Sequence, residues 1–196
     1  KGTGNRNWVA HTSKEQFPYH GTVLAIHLVR FLSILMGAAT VLITYFIALE
    51  IFPQKKGLAA GAALLVAFNP QFLFISGAVN NDNLAALLSS LVLLSILRIL
   101  RKGASGPHLI YLGVVLGLAA LSKLHVLGLL LLGVLALLLL AVEQRSPMLF
   151  LKGLAILLLS AFIAGGWWYL RNWALYGEPT GLYVHRTVHG RRVTPL

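Results

Sequence analysis

Residues 68–84 read FNPQFLFISGAVNNDNL, and the reading of the fold turns on this stretch. It is a polar notch between two strongly apolar runs, broken by Pro70 and closed by Asn80-Asn81-Asp82-Asn83. Asp82 is one of only 5 acidic residues in 196. An Asp in the middle of a membrane-spanning helix costs about 2.5–3.5 kcal/mol on insertion scales, so an acid beside an apolar run is by default a functional candidate. The structural alternative is a cap: Asp or Asn at a helix start satisfies orphan backbone donors, and Asn81-Asp82-Asn83 ahead of an apolar run suits that role too.

Composition sets the frame around the notch. Charged residues make up 11% of the chain, against about 25% in a soluble domain. Several apolar runs approach the roughly 20 residues that cross a bilayer. The fold class expected is all-α, a polytopic transmembrane helical bundle of about six spans; no period-2 alternation suggests a barrel. The net charge of +11 invites a nucleic-acid partner, which the distribution excludes. Basic residues fall in short clusters between apolar runs and not along one face, so anionic head groups of membrane lipid are the counter-charge. With no Cys there is neither a disulfide nor thiol chemistry.

Taken in order, residues 1–21 mix Trp8, His11, Glu15, Phe17, Tyr19 and His20, either an interfacial segment at the end of an outer loop or a surface loop. Spans are expected at 27–51, 57–75 with a break at Asn69-Pro70, and 84–100. Residues 109–142 would make about 51 Å of helix, too long for one crossing, so they divide at Ser122-Lys123 into spans 109–122 and 125–142. The last span, 148–170, ends in Trp167-Trp168-Tyr169, with Arg171-Asn172 at its exit. The transmembrane domain is 22–172 and an outer polar segment is 173–196. The chain begins without Met and stops after a basic stretch, as a piece of a larger protein would.

Charge then orients the bundle. Lys55 and Lys56, then Arg98, Arg101 and Lys102, then Arg145 and Lys152 lie at alternate ends of successive spans. Six spans put all of them on one side, the cytoplasmic one. The opposite side collects Arg30, Asn80–Asn83, Lys123, His125, Arg171 and Asn172. Cations there either snorkel to head groups or bind the phosphate of an anionic lipid carrier. His185 and His189 have helical chelating spacing, but no acid accompanies them and a solvated tail is the simpler reading. Gly113-x-x-x-Gly117 is a candidate helix-packing seam. There is no phosphate-cradling Gly loop, no nucleophile elbow and no paired carboxylates, and no metal site is assigned.

The runs HLVRFLSILMGAATVLITYFIALEIFP, FNPQFLFISGAVNNDNLAALLSSL, GLAALSKLHVLGLLLL and GGWWYLRNWALYGEPTGL resemble, in order and spacing, polytopic bacterial glycosyltransferases of the GT-C type. These are relatives of protein O-mannosyltransferases and of the lipid A aminoarabinose transferase, in and around glycosyltransferase family 39. The resemblance implies a polyprenyl-phosphate-linked sugar donor, used on the extracytoplasmic face of the inner membrane. Lys123 is similar to the family's lysine near the carrier phosphate, Asn81-Asp82 to its acidic position at the outer end of a span, and Arg171-Asn172 to its Arg-Asn after a double Trp. The family's main catalytic carboxylate comes from a first outer loop, which is expected upstream of Lys1. Asp82 is then a supporting residue. No cofactor is assigned, and a divalent metal is left open. The alternative is a non-catalytic membrane scaffold or subunit of the same fold. A transporter built on broken helices is the third reading, with one break but no inverted repeat and no midplane acid pair.

Overall fold

The computed structural model describes residues 16–182. The interfacial reading of Trp8, His11 and Glu15, and the His185 and His189 pair, lie outside the described residues.

Helix α1 spans Gly21–Ile51 and α2 spans Lys56–Ala67. α3 spans Pro70–Ser76, bent by 65° from α2 at the expected break. Asn69 explains both halves of that break. Its side chain accepts from the N–H groups of Gln71 (3.0 Å) and Phe72 (3.1 Å), so α3 starts with a filled cap and Pro70 in its first turn. α4 spans Asp82–Lys102 and closes at Gly103, whose φ of 90° stops the helix. α5 spans Gly106–Ser122, a 3-10 turn covers Leu124–Leu127, and α6 spans Gly128–Glu143. α7 spans Pro147–Ala161, capped by Ser146, and passes through a π-helical segment at Phe162–Gly166 into α8, Trp167–Tyr176.

Four apolar helical stretches are long enough to cross a bilayer: Gly21–Ile51, Asp82–Lys102, Leu124–Glu143 and Pro147–Tyr176. The bent α2–α3 pair adds a fifth, and the 17-residue α5 is the short member of the bundle. Its place explains its length. α5 sits between α4 and α7 and buries Leu109, Leu112, Val115, Leu116 and Ala119. Large apolar side chains such as Leu28, Phe31, Leu65, Phe74, Leu131 and Ile163 point outward. An apolar exterior of this extent suits hydrocarbon and not water.

Polar contacts fix the directions of the helices. Arg98 Nε donates to Glu50 Oε1 at 3.0 Å, and Arg101 reaches both the backbone oxygen of Glu50 and Oε2 (3.7 Å), so α1 and α4 run parallel with their C-termini together. α5 returns, because its C-terminal end meets the start of α4. α5 and α7 are parallel again: Leu109 lies beside Gly153, Gly113 beside Leu157 and Ser160, and Gly117 beside Ala161 and Gly165. This last contact is the seam expected at Gly113 and Gly117. A Cβ on Gly113 would stand 2.6 Å from the carbonyl oxygen of Leu157, and one on Gly117 would stand 2.8 Å from Ala164 Cβ. Such backbone approach is how transmembrane helices gain dispersion energy without a hydrophobic drive.

Candidate functional site at the start of α4

The notch Asn80–Asn83 opens α4, and each of its residues has a separate task. Asn80, one residue before the N-cap Asn81, serves the helix start: its Oδ1 accepts from the N–H groups of Asp82 (3.0 Å) and Asn83 (3.4 Å). Of the two readings open for Asp82, the capping role falls to a neighbour, since the side-chain bonds at this helix start come from Asn80. Asp82 occupies the first helical turn, and its carboxylate is turned across to α5, where Lys123 Nζ donates to Oδ1. A carboxylate in the first turn is also favoured by the positive end of the helix dipole. Asn81 makes the second link between the same two elements, with Nδ2 donating to the carbonyl oxygen of Ser122 at 2.9 Å. Asn83 faces inward, only 2% exposed, and donates to the carbonyl oxygen of Ile75 at 2.9 Å.

Lys123 is presented by a break in the chain. α5 stops at Ser122, Lys123 is extended (φ −157°, ψ 136°), and the 3-10 turn begins at once. One extended residue between two helical segments lifts the lysine off the α5 surface toward the start of α4. Its side chain is 32% exposed and that of Asp82 is 43% exposed. Surface ion pairs of this kind contribute about 0–1 kcal/mol, so the pair orients two functional groups more than it stabilises the fold. Both remain open to a guest.

Tyr169 on α8 reaches the same end of the bundle, its hydroxyl donating to the carbonyl oxygen of Ala120 at 2.8 Å. Arg171, two residues further, is exposed and lies over the ring of Trp168 at 5.4 Å, a cation–π contact. Asn172 is 3% exposed and donates to the carbonyl oxygen of Pro179 at 3.3 Å. The helix does not stop at 170: Arg171 and Asn172 both lie within α8, which continues to Tyr176 because no breaker intervenes before Gly177, whose φ of 72° ends it. His125 is exposed on the 3-10 turn, and Arg30 is exposed on α1.

Of the residues singled out from sequence, Asn80, Asn81, Asp82 and Lys123 are brought together. Among the described residues, no ion pair or hydrogen bond joins Arg30, His125, Arg171 or Asn172 to them. Arg30 is about 30 Å along α1 from Glu50, and Asp82 is about 24 Å along the parallel α4 from Arg98, so the two stand at similar depth. Ser122, Tyr169 and Asn83 stood in the sequence only as a turn, an aromatic belt and the end of the notch, without their contacts at this site. Asn83 had a signal, being the last polar residue of the notch; the other two contribute through a backbone carbonyl or a long-range contact that no motif announces.

An apolar helical exterior with a polar cluster at one end defines an integral membrane protein. The chain belongs to the dolichyl-phosphate-mannose-protein mannosyltransferase family, whose model matches residues 22–168, and thus to the membrane glycosyltransferases. The family implies a lipid-linked sugar donor and a membrane lipid environment. No curated protein and no solved structure matches the chain.

Proposed function

We propose that this chain is the membrane core of a glycosyltransferase that takes its sugar from a polyprenyl phosphate on the extracytoplasmic face. The observation that carries this reading is the Asp82–Lys123 pair: an accessible cation, held by a carboxylate, at the end of an apolar bundle from a family of lipid-linked sugar transferases. The positive-inside count supports the side, since Lys55, Lys56, Arg98, Arg101 and Lys102 gather at the opposite end.

In the reaction, an acceptor hydroxyl oxygen attacks the anomeric carbon, the bond from that carbon to the phosphate oxygen breaks, and polyprenyl phosphate leaves with the electron pair. The hydroxyl proton passes to a carboxylate acting as general base. Lys123 donates to the phosphate as charge develops on it, the kind of preorganised stabilisation that often dominates such catalysis. Asp82 holds Lys123 in position and releases it, wholly or in part, to the incoming phosphate. Arg171 and Arg30 add bidentate donors at the rim. Asn80, Asn81, His125 and Asn172 offer hydrogen bonds to sugar and acceptor hydroxyls.

The test is transfer of radiolabelled mannose from polyprenyl-phosphate-mannose by the purified full-length protein, with Lys123→Ala beside the wild type. Loss of transfer with loss of donor binding is expected. Donor binding that is unchanged in Lys123→Ala would overturn the assignment of the phosphate site. Absence of any donor binding by the wild type would favour the scaffold.

A further inference from the structure

At the end of the bundle away from Asp82, an apolar groove of about 900 Å³ runs between the C-terminal half of α1 and the whole of α2. Its α1 wall includes Ile47 and Ile51, and its α2 wall includes Leu58, Leu65 and Phe68. Gly57 and Gly61 form part of the α2 side, and a Cβ on either would meet nothing within 4 Å. The two glycines are therefore not the seam of a packed helix pair within this chain, unlike Gly113 and Gly117. They leave a channel where side chains would otherwise stand. The volume lies in the upper part of the range for small-molecule sites, about 300–1,000 Å³.

The loop that leads into the groove at Gly57 carries charge of one sign. Lys55 and Lys56 directly precede Gly57, and both are exposed. Lys55 is the N-cap of the 12-residue α2 and its side chain makes no capping bond, so the positive end of that helix lies at the same point. The acid nearest in sequence, Glu50, is already engaged by Arg98 and Arg101 on the α4 side of α1.

The geometry points to a binding site for one anionic phospholipid, with an acyl chain in the α1–α2 groove and its phosphate held by Lys55 and Lys56. An apolar slot open to the bilayer selects a hydrocarbon chain. Two cations with no carboxylate partner among the described residues, at head-group level, select a net-negative head group over a zwitterionic one. This site is separate from the donor site and does not depend on the proposed transfer reaction.

Native mass spectrometry of the full-length protein, stripped of lipid and then titrated with phosphatidylglycerol or phosphatidylcholine, tests it. The wild type should retain one phosphatidylglycerol in preference to phosphatidylcholine. Lys55→Gln/Lys56→Gln should bind that lipid about 10- to 30-fold more weakly, from roughly one unit of head-group attraction per lysine. Gly61→Leu should lose the same lipid by filling the channel, with the helical circular dichroism unchanged. Equal retention of phosphatidylglycerol by the wild type and the double Lys variant would overturn the proposal. So would a wild-type dimer that Gly61→Leu converts to monomer, since the groove would then hold a second copy.

Discussion

The side-chain amide of Asn83 donates to the carbonyl oxygen of Ile75 across 2.9 Å, and that bond fastens the end of α3 to the start of α4 from beneath. Above it, Asn81 and Asp82 reach across to Ser122 and Lys123. The exposed pair is thus anchored on a buried one. Asn83→Ala removes this bond, while the Ile75 carbonyl keeps the N–H of Ala78 (3.0 Å), so the loss should be that of one hydrogen bond, about 0.5–1.5 kcal/mol. Thermal unfolding in detergent measures this, and a melting temperature equal to that of the wild type would refute the anchor.

Ser76 and Gly37 form a second tight contact: a Cβ on Gly37 would stand 2.6 Å from the Ser76 hydroxyl. That hydroxyl and the Asn83 Oδ1 are both buried with no partner among the described residues. Ser76→Ala should be neutral or stabilising, because a desolvated hydroxyl is removed. Gly37→Ala should destabilise by about 1–3 kcal/mol through overpacking. Adding Ser76→Gly should recover much of that loss, with a coupling of about 0.5–3 kcal/mol in the double-mutant cycle.

The α5–α7 seam separates glycines that are needed from those that are not. Gly117→Leu puts a side chain where the carbonyl of Ala161 and the backbone of Gly165 already lie, and should abolish a folded monodisperse species on size-exclusion chromatography. Gly128→Ala meets nothing within 4 Å and should be tolerated.

Transfer activity should separate Lys123 from Asp82. If Lys123 stabilises the leaving phosphate, Lys123→Ala should lower kcat/KM about 10²–10³-fold, the usual loss of one preorganised donor. Asp82→Asn keeps the shape but not the charge and should be the milder variant. Assay of both with polyprenyl-phosphate-mannose checks the order, and the reverse order would make Asp82 the principal group.

Sidedness is open to direct measurement because the chain has no Cys. His125 is exposed on the 3-10 turn, so His125→Cys in intact cells should react with an impermeant maleimide. Gln144→Cys, at the other end of α6, should label only after permeabilisation. The reversed pattern would put the Asp82–Lys123 pair in the cytoplasm.

Much of the fold was legible in local sequence because its causes are local. Pro70 forces the α2–α3 bend wherever the chain lies, and the excess length of 109–142 demands a turn that falls at Lys123. The seam at Gly113 and Gly117 could be named, although its partners, Leu157, Ser160, Ala161 and Gly165, could not. Asp82, Asn81 and Lys123 were recognisable as polar groups in costly places. Their pairing was not, since it joins positions 41 apart and depends on α4 and α5 being antiparallel neighbours. Glu50 is the instructive omission. A lone acid at the mouth of a basic loop is a sequence-level sign of an internal clamp, and it holds Arg98 and Arg101. The placement of Arg171 within α8 escaped because the aromatic belt looks like an ending, whereas the helix ends only where Gly177 permits positive φ.

The π-helical turn at Phe162–Gly166 has a consequence for the whole last helix. A π turn accommodates one more residue than an α turn, so everything beyond it is rotated by about 100° relative to an unbroken helix. α7 can therefore present Leu157 and Ser160 to α5 while α8 still aims Tyr169 at Ala120, two contacts that an unbroken helix of the same length would not combine. Deleting Ile163 removes the extra residue, so the segment should close into regular α form while Tyr169 keeps its contact with Ala120 and the seam to α5 stays intact, whereas inserting one residue after Gly166 should turn Tyr169 off the bundle by about 100°.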